Sequence, residues 1–204
     1  MVLFDEMNHT KLSIVLSALT IFSIFLIVDY LEHNLAFGSF HENPIITIGL
    51  DSEFLTYDDI ITGFSIKYPP DWERAQHLDK SVTFLAPRES NSDTNPAGLG
   101  IMVIEVESNK TLASITQNQL NILKNLYPDI QILESMETIF LGHPSHMIIF
   151  TATDNTQSMR KAMQIWFKED NKAFLMTYKS DNQRYIKYLP TIDKMLNSFY
   201  TYKK

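Results

Sequence analysis

At 204 residues, 45% hydrophobic and 20% charged, the chain has room for one ordinary domain plus an appendage, and its composition excludes wholesale disorder. A formal net charge of −7 provides no electrostatic footprint for a phosphate backbone, so nucleic acid is not an expected partner. There is no cysteine, which excludes disulfide frameworks, thiolate metal sites, lipid-modified N-terminal cysteines and cysteine nucleophiles together.

Residues 1–11 precede an uncharged run, Leu12 to Val28 (LSIVLSALTIFSIFLIV), of 17 positions without Gly or Pro. As a helix this run would rise roughly 25 Å, the short end of what spans a bilayer. Leu, Ile, Phe and Val occur all round it, as on a helix surrounded by lipid. Lys11 stands on its N-terminal side and no Lys or Arg follows until Lys67, so the expected orientation keeps residues 1–11 cytoplasmic and places residues 29–204 outside. The run is read as a transmembrane signal anchor in the cell membrane. Cleavage at the small-x-small sequence Ala36-Phe37-Gly38 would instead make it a signal peptide and the domain a secreted one. Residues 29–51 form a connector punctuated by Asp29, Glu32, Gly38 and Pro44, in which Ile45-Ile46-Thr47-Ile48 is either a first short strand or simply tether.

The main domain is expected over residues 52–204. Phe54-Leu55-Thr56-Tyr57 reads as a strand stopped by Asp58-Asp59. Phe64, Ile66 and Tyr68 alternate with Ser65 and Lys67, the period of a strand with one buried face, and Pro69-Pro70 ends its pairing. Trp72 lies just beyond, placed to seal the end of a core. Val82–Ala86 is a third strand, residues 88–98 a polar, exposed loop, and Leu99–Val106 a strand apolar on both faces and therefore interior. Thr111 is placed to cap a helix whose stripe is Leu112, Ile115, Leu120, Leu123, Leu126 and Tyr127. Four further strands follow at Ile130–Phe140, His146–Thr153, Met159–Lys168 and Ala173–Tyr178, with Glu169–Lys172 a hairpin turn. A closing helix, about Asn182 to Phe199, carries the stripe Tyr185, Leu189, Ile192, Leu196 and Phe199, and Pro190 is expected to kink or split it. The order implies an α+β domain: one twisted antiparallel β-sheet flanked by two helices, preceded by the N-terminal hydrophobic helix.

Gly63-Phe64-Ser65-Ile66-Lys67-Tyr68-Pro69-Pro70-Asp71-Trp72 is similar to the opening of PsbP-like domains, the type of the extrinsic subunit of the photosystem II oxygen-evolving complex. Phe84 with Pro87, Gly142, Phe174 with Tyr178, and Ser198-Phe199 resemble later marks of the same family, over about three-quarters of the chain. The resemblance implies an α/β/α sandwich and a non-enzymatic role. Photosynthetic members help retain calcium and chloride at a manganese cluster, and relatives elsewhere bind proteins, a Ran GTPase among them. The membrane segment and connector occupy the place through which photosynthetic members dock, so a non-photosynthetic, membrane-tethered member is expected.

Several residues are candidate sites. His143 and His146 form a pair of the kind that binds a transition metal with a carboxylate nearby, although two ligands are not a site and two exposed turn histidines are the simpler reading. Glu89, Asp93 and Asn95 offer oxygen ligands of the sort calcium takes, without the spacing that would fix them. Asp58 and Asp59 on one side, and Arg184, Lys187 and Lys194 on the other, are candidate partner surfaces; residues 179–204 carry six Lys or Arg against two Asp. Asn109-Lys110-Thr111 fits an N-glycosylation sequon. Trp72, Trp166 and most of the nine tyrosines fit core stripes. Gly98-Leu99-Gly100 has no lysine or helix of a phosphate cradle behind it, and no nucleophile elbow is present, so no enzyme is expected. No cofactor is expected, with calcium or a transition metal the only candidates. The functional expectation is an extracytoplasmic, membrane-tethered binding or assembly module contacting a protein or membrane complex; the alternative is a small-molecule or metal-ion carrier.

Overall fold

The structure is a computed structural model and describes residues 54–202. The membrane run, the connector and the Ile45–Ile48 segment lie outside the described residues, and no helix among those described is long and apolar enough to cross a membrane.

Two antiparallel sheets, not one, build the domain. The smaller contains β1 (Leu55–Asp59), β2 (Phe64–Tyr68) and β10 (Tyr200–Thr201) in the order β1-β2-β10. The larger has seven strands, β3 (Glu73–Gln76), β4 (Val82–Leu85), β5 (Gly98–Glu105), β9 (Lys172–Asp181), β8 (Met159–Glu169), β7 (His143–Thr153) and β6 (Gln131–Phe140), in that spatial order. The single sheet expected from the sequence does not form. β3 and β10 are short and carry no alternating apolar pattern, and β10 pairs with β2 across more than a hundred residues of sequence. β1 also runs through Asp58 and Asp59, where the strand was expected to have stopped.

The two faces of the large sheet follow the period of two. Phe84, Leu99, Tyr178 and Met163 are successive cross-strand neighbours on one face; Met102, Leu175 and Trp166 are such neighbours on the other. The first face packs against the small sheet and the closing helix α2 (Asn182–Asn197), through Phe64, Ile66, Tyr185, Ile192, Met195 and Phe199. The second packs against α1 (Leu112–Leu126) through Ile115, Ile122 and Leu123. Thr111 caps α1 as expected, its hydroxyl accepting from the Ser114 amide at 3.1 Å. Trp166, fully buried, donates its indole N–H to Thr116 at 2.9 Å and so fixes α1 to the sheet. α2 is one uninterrupted helix that contains Pro190, so of the kink or split expected there the split does not occur.

β5 is interior, as expected, between β4 and β9. The chain leaves β5, crosses the sheet as α1 and restarts at the far margin. That crossover makes β6 an edge strand. Gly63 permits the tight β1–β2 turn, with φ +91 and its amide donating to the Asp59 carbonyl at 2.7 Å.

Candidate functional site: an apolar groove beside the edge strand

α2 and the small sheet cover only part of the large sheet's first face. α2 lies over β8 and β9, and strands β7 and β6 extend past it. The cross-strand row Met176, Ile165, Met147, Met136 records the consequence: the first two are buried, Met147 is half-buried and Met136 is 42% exposed. Between α2 and β6 this leaves an open cleft of about 620 Å³. Met147, Met163 and Ile165 form its floor, and Phe140, Leu189 and Pro190 its walls; Thr138, Asp193 and Asn197 supply polar atoms. Leu189 was expected in the core stripe of α2, but it is 37% exposed and faces this groove, while Ile186 one turn earlier is 75% exposed. Methionine suits such a floor, since its unbranched thioether repacks around differently shaped guests. Beyond the groove, the buried Tyr185 hydroxyl has no hydrogen-bond partner among the described residues and is pushed up to about 12 by burial, with the Glu134 charge adding to it.

The residues singled out in the sequence are placed as follows. His143 and His146 both lie in β7, not in a turn, and three positions apart on a strand puts them on opposite faces. The His143 ring stacks on Phe167 and lies 3.9 Å from Glu169, whereas His146 stacks on Trp166 and shares a hydrogen bond of 2.9 Å with Ser135. The two imidazoles therefore do not converge. Burial against the sheet lowers the His146 pKa, with Glu137 opposing. Among the described residues no group of three or more His, Cys, Asp or Glu could hold a metal ion.

The loop candidates and the basic candidates meet each other. Glu89 pairs with Lys187, and Asp93 pairs with Arg184, which also holds Asp181 and donates to the Asn95 carbonyl at 3.1 Å. Arg160 donates to that same carbonyl at 3.2 Å and to Asp154 at 2.7 Å. The Asn95 side chain is buried and donates to Thr156 at 3.2 Å. Burial alone would raise the Asp93 pKa; Arg184 and the amides of Glu89 and Asn95 outweigh it and hold the carboxyl below the usual range. The loop expected to be exposed is thus anchored at Asp93 and Asn95, and oxygens that were candidates for calcium are engaged by guanidinium and ammonium groups. Lys194 is exposed.

Asp59 is buried and accepts from the amides of Ile61 at 3.0 Å and Thr62 at 2.9 Å, a structural role in the turn. Asp58 is exposed and accepts from the Tyr202 hydroxyl at 2.5 Å. Asn109 sits exposed in a turn ahead of α1. The groove itself escaped the sequence reading. Its one local signal was the pair of apolar residues Ile186 and Leu189, three apart and therefore neighbours on one exposed side of the helix.

The family described as PsbP-like protein matches residues 14–201. No curated protein matches the sequence. Among solved structures, cyanobacterial PsbP from Synechocystis superposes with a TM-score of 0.58 at 16% identity, covering 78% of this chain and 98% of that one. The Ran-binding protein Mog1p of Saccharomyces cerevisiae gives 0.53 at 9% identity, covering 74% and 96%. LpqN of Mycobacterium tuberculosis, involved in cell envelope biogenesis, gives 0.51 at 11%, covering 69% and 83%. At these identities the likeness is one of fold.

Proposed function

Because this chain belongs to the family of PsbP-like proteins, we propose that it is a non-enzymatic binding module, tethered outside the cell by residues 12–28, that holds a protein partner in the groove between α2 and β6. The observation that carries this reading is the groove: an open, methionine-floored, apolar cleft in the strip of the large sheet's first face that neither α2 nor the small sheet covers. An exposed apolar cleft costs solubility unless something occupies it. The fold neighbours support the class of activity, since Mog1p is a Ran-binding protein, and LpqN is involved in cell envelope biogenesis. A metal-ion carrier built on His143 and His146 is disfavoured because their rings stand on opposite faces of β7.

The test is a photo-crosslinking amino acid placed at Leu189, with the same residue at exposed Lys124 on α1 as the control. In native membranes the Leu189 probe should trap a discrete protein adduct that the Lys124 probe does not. Equal labelling from both positions, or none from Leu189, would reject the groove as the binding surface.

A further inference from the structure

We propose that β6 accepts an extended, basic segment of a partner protein as an added strand, whose alternate apolar side chains enter the groove. This rests on the groove reading for its apolar contacts and goes beyond it in naming how the partner binds.

The two edges of the large sheet are built differently. β3 is four residues long, and Glu73, Arg74 and Gln76 make it polar, as edges that must not pair usually are. β6 is ten residues long, pairs only with β7 among the described strands, and contains no Lys or Pro. Ile132, Leu133, Met136 and Ile139 are all exposed along it. The ladder shifts register between Ile132 and Glu134, so an added strand would meet a regular row of backbone donors and acceptors from Glu134 to Phe140. Beyond β6, Leu141 is held at φ +49, a conformation that suits Asn or Gly, and still presents its side chain to solvent at 42% exposure. A bulky residue kept in a strained turn and left exposed continues the same apolar edge.

Charge selects the occupant. Glu134 and Glu137 are the only ionisable residues in β6, neither is in an ion pair among the described residues, and Asp193 stands across the groove. The chain's own connector is a poor complement, because no Lys or Arg occurs between Lys11 and Lys67. A second copy pairing through its own β6 would bring four glutamates to one seam. Glu137 lies on the face away from the groove and Glu134 on the face of Met136 and Phe140, so a partner strand with Lys or Arg where it meets Glu137 and Glu134, and apolar side chains above Met136 and Phe140, fits both faces.

The test uses the full-length chain in detergent and three synthetic peptides: alternating valine and lysine, alternating valine and glutamate, and the lysine peptide N-methylated at alternate amides. The lysine peptide should bind and slow hydrogen exchange in β6, and the glutamate peptide should bind about tenfold more weakly at low salt. Glu137→Lys should reverse that preference, and N-methylation should abolish binding. Binding indifferent to N-methylation, no binding by any peptide, or a β6-mediated dimer in sedimentation that excludes the peptide would each overturn strand addition. Leu189→Asp separates the two ideas. If it removes the native cross-linked partner while the lysine peptide still protects β6, strand addition stands on its own. If peptide binding is lost with Leu189→Asp but is blind to N-methylation and charge, the groove stands and strand addition falls.

Discussion

Single side chains with the same chemistry have different tasks here, and burial sorts them. Asp58 and Asp59 are adjacent, yet Asp59 completes a turn from inside and Asp58 meets Tyr202 in solvent. The histidines divide in the same way from the metal chemistry the sequence suggested. Burial lowers the pKa of His77, with Asp79 opposing, and of His146, with Glu137 opposing. A base whose folded pKa is depressed takes up its proton more readily when unfolded. Its contribution to stability is therefore complete above the ordinary value of 6.5 and is lost as pH falls through the lower folded value. The urea midpoint should accordingly fall between about pH 8 and about pH 5, before the depressed carboxylates Asp93, Asp154 and Asp181 begin to protonate. His77→Gln and His146→Gln together should flatten that decline; an unchanged slope would assign it elsewhere.

At the scale of elements, the 88–98 loop and α2 behave as one unit. Arg184 joins Asp93, Asp181 and the Asn95 carbonyl, and it is mostly buried, so its removal strands partners with little access to water. Lys187 and Glu89 are far more exposed, and such a pair contributes little. Arg184→Ala should cost about 1–3 kcal/mol and speed amide exchange across residues 89–95, while Lys187→Ala should leave both nearly unchanged. Equal effects on the thermal midpoint would mean that the loop is held by something other than Arg184. The basic residues of α2 were a candidate partner surface; two of the three cations, Arg184 and Lys187, instead pair with the loop.

For the whole molecule, the crossover of α1 from β5 to the far margin decides where the proposed binding surface lies. It leaves β6 as a long edge and opens the groove that α2 is too narrow to close. Orientation relative to a membrane is a separate hypothesis, motivated by Lys11 and by the absence of Lys and Arg from there to Lys67. Protease added to intact cells or spheroplasts should degrade the 52–204 domain. Protection that lasts until lysis would invert the topology.

Periodicity, caps and turn residues in the sequence determined the strands β2, β5 and β7 to β9, the cap at Thr111, both helices and the resemblance that names the family. Those signals are local: a period of two or 3.6, a hydroxyl three residues from an amide, a glycine where φ must be positive. Only the tertiary structure decided that β10 returns to β2 to make a second sheet, that β6 is an edge, that His143 and His146 diverge, and that Asp93 and Arg184 meet across 91 residues. Each of these is a pairing between distant segments. Nothing in the residues near one partner records the other, and the groove exists only because several such pairings leave the same strip of sheet uncovered.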